Sequence, residues 1–278
     1  MKLVKTLLAS SLLTVLTLSV SAKEMPPAGG TPGDFTVPAT QEMTLDNGLK
    51  VTFIPYGSTP KATIRLVTNT GNIDDGEKVW LADLSFDMLR QGTASQSAKA
   101  LAEAVASMGG EIATSVGMDS SFIGMDVLGE FTPDAVDVLA DMVMNASFAE
   151  ADLARLKTDS QRNLAVQKSS PSGIATEAFY QSIYGNHPYG RLYPTTESLA
   201  ALTVDDTKTF ISSNLVPNRS HLYVSGVFDQ TAVSKAVKAA FADWQAGEAR
   251  AAKTVLTKPG PTLELIEREG APQSTLRL

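Results

Sequence analysis

The chain has 278 residues, 43% of them hydrophobic and 19% charged, which is enough apolar material for one large or two small domains and excludes a disordered or fibrous protein. Its net charge of −7 leaves no surplus of Lys and Arg to attract phosphates, so nucleic acid is a poor partner. It has no cysteine, which excludes disulfides, thiolate zinc sites and cysteine nucleophiles.

The first 22 residues read as a signal peptide. Lys2 and Lys5 form a short basic region, Leu7 to Val20 is an apolar run too short to span a bilayer well, and Val20-Ser21-Ala22 is a small-residue cleavage site. Cleavage removes two lysines and no acid, taking the net charge from −7 to −9. The segment has a bacterial form, so the expected address is the periplasm, with no membrane anchor left after cleavage.

Residues 23–40 are rich in Pro and Gly and read as a flexible leader. Gln41 to Thr44 and Lys50 to Pro55 are predicted strands joined by Asp46-Asn47-Gly48, a strong hairpin signal. Ala62 to Thr68 alternates as a third strand, and Asn69 to Gly76 is a loop. Trp80 to Thr93 then reads as a helix and a turn. Leu81, Leu84, Ser85 and Met88 share one face, Asp83, Asp87 and Arg90 share another, and Gly92 marks the stop.

Ser95 to Met108 is a second predicted helix, capped by Ser97 and stopped at Gly109-Gly110. Glu111 to Val116 and Ser120 to Leu128 are strands. Thr132 as cap and Pro133 at the first position open a helix that runs to about Asn145. Glu150 to Lys168, Ile174 to Tyr184 and Val204 to Ser213 are further helices, with Gly185 to Pro194 a loop. His221 to Val227 is a strand, and Gln230 to Trp244 a helix capped by Asp229. Residues 247–260 form a polar linker. A strand from Pro261 to Ile266 and an alternating pattern from Gln273 to Leu278 begin a truncated second domain at 261–278, so a fragment is expected. Strands come in hairpins and helices in clusters, which predicts an α+β fold with helices packed on one face of a mixed or antiparallel sheet, the main domain spanning 41–246.

The order of landmarks along the chain resembles the pitrilysin/insulinase family of zinc peptidases, which includes the mitochondrial processing peptidases. Leu45-Asp46-Asn47-Gly48-Leu49-Lys50-Val51 is similar to the family's opening hairpin, and Leu81 to Thr93 to its helix and the turn written here Arg90-Gln91-Gly92-Thr93. Ser107-Met108-Gly109-Gly110 with Asp119, Phe148, His187-Pro188-Tyr189-Gly190-Arg191, and Pro217-Asn218 with Gly226 follow in the family's order. The resemblance implies a subunit of two similar halves that close like a clam shell around a peptide, of which this chain holds the first half.

The resemblance also locates what is missing. Active members carry H-x-x-E-H on this helix, two zinc ligands and a base, with a distal Glu as third ligand. The two His positions here are Asp83 and Asp87, the Glu position is Phe86, and the distal position falls at Gln161-Arg162-Asn163. Phe86 accepts no proton at any pH. Asp83 and Asp87 suit a hard cation such as magnesium or calcium better than zinc, and otherwise make a solvated acidic face partly neutralised by Arg90.

Elsewhere the residues read structurally. His187 orders its loop through a hydrogen bond, and His221 is a half-buried strand residue. Ser170 and the other serines lack a nucleophile elbow, Gly29-Gly30 and Gly109-Gly110 make no phosphate loop, and Trp80 and Trp244 are anchors. No catalytic, cofactor-binding or metal residue is expected, with Asp83, Phe86 and Asp87 as degenerate motif positions. The expected function is the non-catalytic subunit of a zinc peptidase, with zinc only in a catalytic partner subunit and a peptide as common ligand. An active metallopeptidase with a rearranged site at Asp83 and Asp87, and a stand-alone periplasmic binding or scaffold protein, are the alternatives.

Overall fold

A computed structural model describes residues 30, 36–251, 254 and 263–278. The expected signal peptide at 1–22, most of the leader, and the first two residues of the strand expected at Pro261 lie outside the described residues.

Among the described residues six strands make one mixed sheet: Gln41–Thr44 (β1), Lys50–Pro55 (β2), Lys61–Thr68 (β3), Glu111–Val116 (β4), Ser121–Leu128 (β5) and Ser220–Gly226 (β6). Their order is β1-β2-β6-β3-β5-β4. The β2–β6 pair is parallel, and every other pair is antiparallel. The β1–β2 turn uses Asp46-Asn47-Gly48 as expected, with Gly48 at φ 90°. Asn47 fixes that turn to a segment almost 200 residues on, donating from Nδ2 to the carbonyls of Phe241 at 2.8 Å and Trp244 at 3.0 Å.

Alternation decides which face is covered. In β3, Ala62, Ile64 and Leu66 are buried while Arg65 is exposed. Val51, Phe53, Ile123, Met125, Leu222 and Val224 extend the same apolar face across the sheet. The helices pack there: Leu81–Met88 (α1), Ala98–Ser107 (α2), Thr132–Met144 (α3), Glu150–Ser169 (α4), Pro171–Tyr184 (α5), Thr196–Ala200 (α6), Val204–Asn214 (α7) and Gln230–Ala240 (α8). The α+β class with helices on one face of a mixed sheet is therefore the observed architecture. α3 packs on α8, and α1 lies against α7, α4 and β4.

The structure differs from expectation at several boundaries. α5 starts at Pro171, because Ser170 Oγ accepts from the Gly173 amide at 3.0 Å and Pro occupies the first position. Thr132 lies inside α3, with Phe131 as its cap, and its hydroxyl donates to the Gly129 carbonyl at 2.7 Å. α8 ends at Ala240, and Trp244 instead packs against Phe241 with ring centroids 5.5 Å apart. The short α6 was not expected; Thr195 and Ser198 close a capping box around its start. Residues 263–266 and 273–278, expected in strand conformation, form none and are exposed, since alternation alone supplies no neighbouring strand to pair with.

Candidate functional site at the face of helix α1

The loop before α1 is held from both sides. The amides of Asn72 and Ile73 donate to the carbonyls of Gly117 and Met118, each at 3.0 Å, which docks a short 3-10 turn (Asn72–Asp74) on the β4–β5 connection. Asp75 follows, 5% exposed. Its Oδ2 accepts from the Trp80 amide at 2.9 Å and its Oδ1 from the Ala82 amide at 2.8 Å. These are donors that a helix start leaves without intrahelical partners, so Asp75 caps α1 from outside the usual cap position. Trp80, at that position, has φ 69° and caps nothing with its own side chain. Its indole Nε1 donates to the Leu192 carbonyl at 3.0 Å, and its ring meets Tyr193 edge-on at 6.1 Å.

Asn72 Nδ2 bridges two carboxylates, donating to Asp83 Oδ2 at 2.6 Å and Asp75 Oδ2 at 3.2 Å. Burial pushes Asp75 up to about 7, and the Asp83 charge adds to this, against the hydrogen bonds from Ala82, Asn72 and Trp80. Burial also raises Asp83, opposed by the Asn72 hydrogen bond. Asp87 is raised by burial and held down by the guanidinium groups of Arg90 and Arg155. The solvated acidic face expected for Asp83 and Asp87 is therefore corrected: both are half-buried and desolvated, because α4 and the Asn72 loop pack beside them.

Phe86 is 1% exposed and belongs to the core. In the distal segment on α4, Gln161 is half-buried, while Arg162 and Asn163 are exposed and Arg162 pairs with Asp159 at 2.8 Å. The structure brings Asp83 and Asp87 together on α1, but the side chains at the other motif positions are a buried phenyl ring, an amide and a guanidinium. With two carboxylates and no third ligand at these positions, this donor set falls short of the three or four His, Cys or carboxylate ligands that zinc takes. Among the described residues no group of three or more His, Cys, Asp or Glu could hold a metal ion.

The two histidines lie elsewhere and are not brought together with Asp83. His187 Nδ1 accepts from the Tyr189 amide at 3.2 Å and orders its loop, and its ring packs on Tyr189 at 4.6 Å. His221 on β6 lies 2.7 Å through Nε2 from Thr52 Oγ1 and stacks on Tyr223 at 4.1 Å; burial lowers its pKa.

Beside the α1 start is a groove of about 520 Å3, between α5 and residues 190–195. Val79, Ile174, Ala178, Tyr193 and Pro194 give it apolar walls, and Glu177 stands at its rim. Arg191, also at the rim, pairs with Glu77 at 2.8 Å. Sequence reasoning missed both the groove and the Asn72–Asp75 pair. The groove joins segments far apart in the chain. The Asn72–Asp75 pair carried one signal, an Asn and an Asp just ahead of a helix whose own cap position holds Trp80.

The family model described as Insulinase (Peptidase family M16) matches residues 51–196. An uncharacterized zinc protease of Rickettsia felis is 25% identical over 206 residues, covering 73% of this chain and 50% of the relative. The inactive domain of a peptidase of the same family from Pseudomonas fluorescens superposes with a TM-score of 0.70 at 22% identity, over 77% of this chain and 53% of that one. The first half of the Escherichia coli periplasmic protease PqqL gives 0.67 at 16% identity, over 79% and 49%. The chain thus spans about half the length of the relatives it matches.

Proposed function

This chain belongs to the insulinase family of peptidases, and from that premise we propose that it is an exported, non-catalytic member that binds peptides and completes the chamber of a zinc-bearing partner subunit. The observation that carries this reading is Phe86. It stands where the family's proton acceptor belongs, and its ring is built into the hydrophobic core. Flanked by Asp83 and Asp87, this position offers neither a base nor imidazole ligands. Export is supported by the basic-then-apolar start of the sequence and by the periplasmic address in the name of the E. coli neighbour.

Peptide binding is supported by two features next to α1. Among the described residues β4 pairs only with β5 and ends the sheet, so an extended peptide can add to it through main-chain hydrogen bonds. The groove beside α1 is walled by apolar side chains and suits a side chain of such a peptide.

The test has two parts. The purified chain alone is expected to cleave no peptide and to carry no stoichiometric zinc. Co-expressed with a relative that has an intact H-x-x-E-H, it is expected to co-purify and to raise that partner's turnover. One tightly held zinc per chain, together with chelator-sensitive cleavage lost on Asp83→Ala, would overturn the reading. Peptide affinity is checked separately: Ala178→Trp fills the groove and weakens binding of an extended peptide by about tenfold, roughly 1.4 kcal/mol.

A further inference from the structure

Residues 247–260 read as a polar linker, and the described start of that segment is pinned at two points. Asn218 uses both ends of its side-chain amide on one residue: Nδ2 donates to the Gly247 carbonyl at 2.7 Å, and Oδ1 accepts from the Gly247 amide at 3.0 Å. The approach is close enough that a Cβ on Gly247 would come within 2.7 Å of Val216 Cγ1. Three residues on, Arg250 Nη1 donates to the Asp119 carbonyl at 3.0 Å, Nη2 reaches Asp119 Oδ1 at 3.4 Å, and Nε lies 3.5 Å from Asp74 Oδ2.

The two attachments differ in kind. Asn218 makes a neutral, reciprocal pair of short hydrogen bonds to backbone. Arg250 makes one 3.0 Å hydrogen bond to a backbone carbonyl and two longer contacts to carboxylates, of which Asp119 is 56% exposed. Such contacts weaken with salt. Both carboxylates keep other donors when Arg250 leaves: Asp119 accepts from the Tyr189 hydroxyl at 2.6 Å, and Asp74 from the Thr70 hydroxyl at 2.9 Å, with Arg219 at 3.5 Å. Release of Arg250 therefore strands no carboxylate. Arg250 also bridges the two segments, 117–119 and 72–74, whose backbones are already joined through Asn72 and Ile73. Asp75, the cap of α1, is the next residue.

We propose that residues 245–251 form a strap, fixed by Asn218 at Gly247 and reversibly latched by Arg250 onto Asp119 and Asp74, so that displacement of the following chain is passed to the loop that caps α1. The strap is a device with two states, latched and released, whose balance is set by what pulls on it.

Hydrogen exchange on the full chain tests this. Arg250→Met is expected to speed exchange about tenfold in two places, the strap around Gly247 and the amides of Asn72, Ile73 and Trp80, with the melting temperature unchanged. Asn218→Ala loosens the strap around Gly247 and leaves the Asn72 loop as it was. Molar salt makes the wild type behave like Arg250→Met and adds nothing to that variant, and Arg250→Lys keeps part of the protection. Asp119→Asn, which keeps the backbone acceptor, gives an intermediate effect at the same two places. An unchanged Asn72 loop in both Arg250→Met and Asp119→Asn overturns the coupling, as does a rise in exchange spread evenly over the molecule.

Discussion

Asp75 is where a single side chain gives the clearest measurable signature. Its pKa rises from 3.8 to about 7 on folding, so between about pH 4 and 7 the folded chain keeps a proton that the unfolded chain has released. Raising the pH through that window therefore favours the unfolded state, by up to about 1.4 kcal/mol per pH unit. Asp83 and Asp87 are raised as well and push in the same direction. Asp75→Asn is expected to flatten the slope between about pH 4 and 7. Against the ionised carboxylate it also loses an acceptor, worth about 1–3 kcal/mol, because an amide has one acceptor oxygen for two helix-start donors. Urea midpoints across the range check this, and equal slopes in the two proteins would count against it. Phe86→Ala is expected to cost about 3–5 kcal/mol, read from the same denaturation curves. Phe86→Glu, the change toward an acceptor, is expected to cost at least as much because it places a carboxylate in the hydrophobic core. The identities at positions 83, 86 and 87 were legible in the sequence. Their environment was not, since desolvation of an aspartate depends on neighbours from α4 and the Asn72 loop that no local pattern announces.

Whole elements were more legible than their edges. Every expected strand up to β6 is present, because alternation over a half-covered sheet is a local signal. Helix ends were misjudged where a cap outranked the apolar pattern, as at Ser170 for α5. The turn after α1 shows how a short motif is held. The Gly92 carbonyl accepts from the Ser147 amide at 3.0 Å, the Ala94 amide donates to Asn145 at 2.8 Å, and the Thr93 amide to Gln96 at 2.8 Å. Gly92 has φ 115°, and a Cβ there would lie 2.7 Å from the Gln96 carbonyl oxygen. Gly92→Ala is therefore expected to destabilise the fold by about 1–3 kcal/mol. A thermal midpoint unaltered by the substitution would argue that this turn can rearrange freely.

For the molecule as a whole, strands grouped in hairpins and helices in clusters revealed the fold class and the landmark order the family, while the sheet order could not be read from the chain. β6 inserts between β2 and β3, parallel to one and antiparallel to the other. Its core residues Leu222 and Val224 are fully buried. A chain cut after Leu215 is expected to show no cooperative unfolding transition, since it lacks the strand that joins the β1–β2 hairpin to the three-stranded β3-β5-β4 part. A sharp transition in that truncated chain would mean that one hairpin and its helices fold alone. The position of β6 also has a consequence for how the protein is made. A ribosome releases β1, β2 and β3 long before it reaches Ser220, so two unzipped strand edges wait in the nascent chain for their common neighbour. Until then the sheet lacks the strand that joins its two parts, and it is expected to close only once Gly226 has been made.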